Sequence, residues 1–396
     1  MLQTSTLPSL TSARSPTRST NSSTRSTSPV KGVDDLLRLE KPVQWNPVDM
    51  NDLQRKMQNC MPIGNTTAVP HFLQSLIGHL NYKYIPREMR EIVKQISPLE
   101  STLDLLFTDA DTTTPTLSQS QSQSYIQFVI QPFGPQISNS GELVQAAQRL
   151  ALLAEFTNLQ SIVTKTNEFN TLSRSEAAWN EKVHGPMLDL AVLHTSNIAV
   201  ENVTRANIAG RFIPSSAATY DAQFNGRMID YALVLRPEPG LNERLLDFVS
   251  HLDYPTFNQT NYPPLRTWPT GIFVETKAKE HGQCIAEAKI QLGIWAASWF
   301  NRVARFPEKT PSSNTSSKPP LPFVPILLVD RGSWEVYFAF DDRSRYDICG
   351  PIEMGNTKSL KDAYRLLAGL RDLTQWMATE FRVWVELCLA EAESLY

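Results

Sequence analysis

Nine residues, Arg227-Met-Ile-Asp-Tyr-Ala-Leu-Val-Leu235, do most to restrict the fold of this chain. They are apolar on both alternations. A strand of that kind suits the interior of a sheet covered on both faces, rather than a hairpin with one wet side. Pro237-Glu-Pro-Gly240 ends the run. Asp230 is the one charged residue inside it. A buried carboxylate is costly unless it is paired, hydrogen-bonded or bound to a cation.

A second strand follows at Gly271-Ile-Phe-Val-Glu-Thr-Lys277. Side chains alternate along a strand, so Phe273, Glu275 and Lys277 share one side and Ile272, Val274 and Thr276 the other. Glu275 and Lys277 then stand about 7 Å apart along the strand. Alone, Glu-x-Lys reads as an ordinary ion pair on a solvated strand face. Beside Asp230 on a neighbouring strand it becomes two acids and a base in one place. Two carboxylates gather Mg²⁺, which prefers oxygen ligands. A lysine there can polarise the attacking water or the scissile phosphate.

Covering helices are readable on either side. Gly141–Thr164 repeats apolar residues at helical spacing. Ser173 with Glu176 fits a capping box opening a helix to Ala191, which Gly185-Pro186 should kink or divide. Gln283–Val303 is helical and puts Gln291, Trp295 and Trp299 on one face. The aromatic stripe reads as core, and a glutamine heading it is less expected. Phe323–Val329 and Trp334–Phe340 form a hairpin around Asp330-Arg-Gly-Ser333. Ser359–Leu389 reads as a long closing helix, in one piece or two.

Of 396 residues, 41% are hydrophobic, enough for a sizeable core, and net charge is −3. That balance argues against coating nucleic acid by bulk charge, but not against an enzyme in which an ion supplies the positive charge. The four cysteines form no Cys-x-x-Cys pair and the six histidines no His-x-x-x-His pair, which disfavours a zinc centre. No apolar run approaches the ~18 residues of a membrane span. Reduced thiols and the lack of a signal peptide point to an intracellular protein, nuclear or cytoplasmic. An acid-free, Arg- and Ser-rich start keeps a mitochondrial address as the minor reading.

Residues 1–33 are rich in Ser, Thr and Pro and read as a disordered tail. Residues 34–124 read as a helical lead-in, with helices expected over Asp34–Leu39, Asn51–Met61, Pro70–Leu80 and Pro86–Ile96. The lead-in ends in the low-complexity linker Asp111–Ser124. Residues 125–396 read as the main domain. It opens with a strand or buried segment at Tyr125–Gln131 and is interrupted by a disordered loop at 307–322.

Four segments in this order carry a resemblance: Trp179-Asn-Glu-Lys-Val-His184, Met228-Ile-Asp-Tyr231, Val274-Glu-Thr-Lys277 and Ala288-Lys-Ile-Gln-Leu-Gly-Ile-Trp-Ala-Ala297. They resemble the PD-(D/E)xK nuclease superfamily, and more narrowly the nuclease-like domain of that type found in many fungal proteins. Phe323-Val-Pro, Gly332-Ser-Trp334, Gly355-Asn-Thr357 and the closing helix with Trp376 and Trp384 agree. Each motif alone is weak; together they are fairly specific. The resemblance implies an α/β fold: a restriction-endonuclease-like mixed sheet flanked by helices, with an α-β-β-β-α-β core. It implies Asp230 and Glu275 as ligands of Mg²⁺ or Mn²⁺, Lys277 as the catalytic lysine, and nucleic acid as substrate, DNA ahead of RNA. Gln291 falls where RecB-like members carry Gln-x-x-x-Tyr, with Trp295 here in place of the tyrosine. Ile229 stands where the superfamily has proline. Glu181 is a candidate for the metal-binding acid that some members place on the first helix, although capping or surface roles explain Glu176 and Glu181 equally well. A second reading of the same fold is a module that binds nucleic acid or a protein partner without turnover. The acidic pI and the lack of a dense basic stretch favour it.

Overall fold

The internal strand expected around Asp230 runs over Tyr231–Leu235, with all five residues buried. It belongs to a computed structural model that describes residues 32–60, 68–96, 104–109, 140–215, 228–278, 282–307 and 322–395. Residues 1–31 of the Ser/Thr-rich tail, the linker Asp111–Ser124, the segment Tyr125–Gln131 and nearly all of the 307–322 loop lie outside the described residues.

In chain order, a 3₁₀ turn (Val33–Arg38) leads into β1 (Val43–Asn46) and α1 (Met50–Asn59), whose first turn is capped by the Asp49 carboxylate. Then come α2 (Ala68–Asn81), α3 (Arg90–Ile96) and α4 (Ser140–Thr171). Next, α5 (Glu176–Trp179), a π turn (Asn180–His184) and α6 (Gly185–Val192) form one continuous helical stretch. The strands β2 (Ile198–Asn202), β3 (Tyr231–Leu235) and β4 (Thr270–Lys277) follow, with α7 (Pro239–Ser250) between the last two. After α8 (Gly282–Val303) come β5 (Val324–Asp330), β6 (Ser333–Asp342) and β7 (Arg345–Asn356). The closing helix is α9 (Leu360–Trp376), a π turn (Met377–Phe381) and α10 (Arg382–Glu393).

The seven strands make one mixed sheet in the order β1-β7-β6-β5-β4-β3-β2. β2, β3 and β4 form an antiparallel meander, whereas β4 and β5 are parallel. A parallel pair needs a crossover of a dozen or more residues, and α8 supplies it. The run α5/α6, β2, β3, β4, α8, β5 is the α-β-β-β-α-β core of a restriction-endonuclease-like fold.

Alternation along β6 shows how the two helical layers divide. Tyr337 meets Trp45 edge-on, and the Lys289 ammonium of α8 lies over both rings. Phe338 points the other way, into a cluster with Phe72 of α2 and Phe323, which stacks on Trp376 at the end of α9. Both sheet faces are therefore apolar and covered, as the double-sided hydrophobicity of residues 228–235 requires.

Three strands are absent from the sequence reading. β1 lies in a region read as helical and pairs parallel with β7 at the sheet edge. β2 is a five-residue, largely half-buried edge strand. β7 is broken in sequence by Gly350-Pro351, which reads as turn punctuation. In the fold Gly350 has φ +159, and a Cβ there would come within 2.4 Å of the Tyr337 ring. Glycine is thus what lets β7 pass β6 at the register shift between Val336 and Phe338.

α4 is fixed to α9 by a buried ion pair. Burial pushes the Glu155 carboxylate up, but the charge of Arg371 and the hydrogen bond of His194 outweigh it and hold the group at about 2. Removing one partner of such a pair leaves an uncompensated buried charge. Arg371→Ala is expected to lower unfolding free energy at pH 7 by about 3–5 kcal/mol, read by urea denaturation. A loss below 1 kcal/mol would show that the pair does not anchor α4.

Candidate active site

β4 is buried at every position. Phe273 packs edge-on against Trp295 of α8, so the side of β4 that carries Glu275 and Lys277 lies under that helix. One turn before Trp295, the half-buried Gln291 donates from Nε2 to the carbonyl of Met228 at 2.8 Å. This ties α8 to the chain just ahead of Asp230. The Gln291 Oε1 atom is buried with no hydrogen-bond partner among the described residues.

Glu275 is 2% exposed. Its Oε1 accepts from Lys277 Nζ, while Oε2 is buried without a partner among the described residues. Burial, and then the charge of Asp230, hold its carboxyl well above the usual range, against the opposing pull of Lys277. Burial works to lower the Lys277 pKa, but the charges of Glu275, Glu176 and Asp230 outweigh it and keep the ammonium favoured. Glu176 reaches Lys277 at 3.9 Å from the start of α5. The charges of three acids thus act on this one base.

Asp230 stands one residue ahead of β3. Tyr231 pairs with Val274, and the Asp230 N–H donates to the Val274 carbonyl at 3.1 Å, so the regular antiparallel register ends before Asp230. Asp230 Oδ2 accepts from the Thr276 backbone N–H at 2.9 Å and lies 2.8 Å from the Thr276 hydroxyl. Oδ1 lies 3.1 Å from the side-chain amide of Asn180. The other end of that amide is 2.8 Å from both Thr276 Oγ1 and His184 Nδ1. His184 Nε2 donates to the Arg331 carbonyl at 2.6 Å, and the Arg331 N–H donates to the Lys277 carbonyl at 2.7 Å. Arg331 can serve both because it turns the β5–β6 hairpin with φ 53. His184 is fully buried, which lowers its pKa to about 4 and leaves the ring neutral at pH 7.

The π turn explains how Asn180 reaches this network. Pro186 has no N–H to give the preceding turn. Instead of breaking, the helix widens, and the Asn180 carbonyl accepts from the Gly185 N–H and from the Tyr231 hydroxyl at 2.8 Å. A Cβ on Gly185 would lie 3.0 Å from that carbonyl and 3.3 Å from the hydroxyl, so a glycine suits the position. Such π bulges occur frequently at functional sites.

The structure therefore pairs Glu275 with Lys277 at the end of β4 and Asp230 with Thr276 and Asn180 at the start of β3, with Gln291 on the covering helix. It does not bring Glu181 in. That side chain is 70% exposed and pairs with Lys182. One residue along a helix is a turn of about 100°, so Glu181 points away where Asn180 points in. Asn180, Thr276 and His184 are missing from the sequence reading as site residues. Their signal is the i, i+4 spacing of Asn180 and His184 and the place of Thr276 between Glu275 and Lys277.

A family model described as PD-(D/E)XK nuclease superfamily matches residues 132–382, well over half of the chain. The chain belongs to the PD-(D/E)XK nuclease superfamily. No curated protein and no solved structure matches it. Nucleases of this superfamily typically use divalent metals. Among the described residues no three His, Cys, Asp or Glu side chains are grouped to hold a metal. The donors do fit a hard cation in kind: two carboxylates, with Glu275 Oε2 lacking a partner among the described residues. Mg²⁺ is commonly held by one or two carboxylates and keeps several waters. Also among the described residues, no helix is long and apolar enough to cross a membrane.

Proposed function

We propose that this chain is a metal-dependent nuclease hydrolysing phosphodiester bonds of nucleic acid, DNA in preference to RNA. Asp230 and Glu275 would hold Mg²⁺ or Mn²⁺. The observation that carries the reading is the buried Glu275–Lys277 pair, with one carboxylate oxygen unpartnered among the described residues and the charge of Asp230 acting on both groups. When bound, a divalent ion lowers the pKa of a water ligand and offsets charge developing on the phosphate. Lys277, kept as an ammonium by its three acidic neighbours, donates to the scissile phosphate or orients the attacking water. Thr276 fixes Asp230 through its backbone N–H and hydroxyl, and Gln291 fixes α8 over the site.

One observation favours a second reading, a nuclease fold that binds without turnover: both Asp230 oxygens already have polar neighbours in the protein. Purified protein incubated with linear and circular DNA and with RNA separates the two. Cleavage in Mg²⁺ or Mn²⁺ that chelator abolishes is the expected result. Binding without cleavage of any substrate in either metal would establish the second reading.

A further inference from the structure

Counting hydrogens around Asn180 leads to a further residue of the site. Four contacts meet its side chain and neighbours in a fully buried place: amide to Asp230 Oδ1, amide to Thr276 Oγ1, amide to His184 Nδ1, and Thr276 Oγ1 to Asp230 Oδ2. A carbonyl only accepts, so His184 Nε2 must carry a hydrogen to meet the Arg331 oxygen at 2.6 Å. An imidazolium with no exposed surface is costly to bury. The ring is therefore the Nε2–H tautomer, and its bare Nδ1 requires a donor.

With the amide nitrogen toward Asp230, that requirement fails. Nδ1 would then face the amide oxygen, acceptor against acceptor, at 2.8 Å. The single Thr276 hydroxyl hydrogen would also be asked to serve both Asn180 and Asp230 Oδ2. A half-turn of the amide removes both conflicts. Its two N–H bonds go to His184 Nδ1 and to Thr276 Oγ1, and the Thr276 hydroxyl donates to Asp230 Oδ2. The amide ends differ by little in shape, so the turn costs no space. One contact is left: the Asn180 oxygen faces Asp230 Oδ1 at 3.1 Å. Two bare oxygens so close need a cation between or beside them. Neighbouring oxygens on one octahedral ion with ~2.1 Å bonds lie about 3 Å apart.

We propose that the Asn180 side-chain oxygen is a ligand of the divalent ion, adjacent to Asp230 on its coordination sphere and held in that orientation by Thr276 and His184. The inference rests on the metal-dependent reading above and adds to it a neutral third ligand, donated by the π turn.

Two measurements test it on the full chain. Crystals soaked in Mn²⁺ are expected to show an anomalous peak bonded to both Asp230 and the Asn180 oxygen. A peak on Asp230 or Glu275 with Asn180 outside bonding distance would overturn the proposal and leave the metal-dependent reading standing. In calorimetric titration with Mn²⁺, Asn180→Ala is expected to weaken affinity roughly tenfold or more, in the range seen when partners of a metal site are removed. Affinity within twofold of the unsubstituted protein would also overturn it. If Asn180→Ala does not fold, the soaked crystals decide alone. Absence of any Mn²⁺ binding by the unsubstituted protein would instead remove the metal-dependent reading itself, and this inference with it.

Discussion

Lys277→Met is expected to lower metal-dependent cleavage by about two to three orders of magnitude, the usual loss when one preorganised charge donor to a transition state is removed. Methionine keeps most of the apolar stem of a side chain that is 10% exposed. What it removes is the ammonium. Glu275 then loses its one hydrogen-bond partner among the described residues. Burial and Asp230 already hold that carboxyl well above the usual range, so it takes a proton instead of remaining as a lone buried charge. The fold should therefore survive, with the thermal midpoint within a few degrees of the unsubstituted protein. Alanine is a poorer choice, because it adds a cavity to the loss of charge. Single-turnover cleavage with excess enzyme reads the chemical step directly. A rate within threefold of the unsubstituted protein, at an unchanged midpoint, would sink the assignment of Lys277 to the chemistry.

The acids and the base were legible in the sequence because each breaks a strong local pattern. Asp230 interrupts an apolar run, and Glu275 and Lys277 share one side of a strand. The internal strands β3, β4, β5 and β6 were legible for the same reason: burial on both faces leaves an apolar run that nothing else explains. The edge strands β1 and β2 and the internal strand β7 were not. β1 has four residues, β2 faces solvent in part, and β7 needs a glycine–proline step to pass Tyr337. Asn180 and His184 were hidden for a different reason. A polar pair at i, i+4 reads as helix surface unless it is known what the helix faces. The helix also contains a proline that suggests a break, where the backbone instead widens into a π turn. Glu181 shows the converse, since an acid of the right type one residue away points to solvent. Chemistry could be read from residue types, but helix phase could not.

Glu275→Gln is expected to change how stability depends on pH, in a direction the geometry fixes. A carboxyl whose folded pKa lies above its unfolded value, near 4.5, binds more protons folded than unfolded once pH exceeds that value. Its contribution is complete below about pH 4.5 and is lost as pH rises through the raised folded value, at up to about 1.4 kcal/mol per pH unit. Glutamine has no proton to lose. Without divalent ions, the variant should match the unsubstituted protein near pH 4.5 and become progressively more stable than it toward pH 8. Taking the difference between the two proteins cancels the groups they share. His184, depressed to about 4, adds stability as pH rises toward 6.5, and Glu155, held at about 2, loses stability only as pH falls below about 4.5. Neither affects the comparison. Mn²⁺ should reverse the order, because an ionised carboxylate is what the cation prefers. Added metal should raise the thermal midpoint of the unsubstituted protein more at pH 8 than at pH 5, and that of Glu275→Gln little at either. Calorimetric scans across this range, with chelator and with Mn²⁺, give both results. Parallel pH profiles would show that Glu275 has no raised pKa to lose. Equal stabilisation of both proteins by Mn²⁺ would show that Glu275 does not hold the metal.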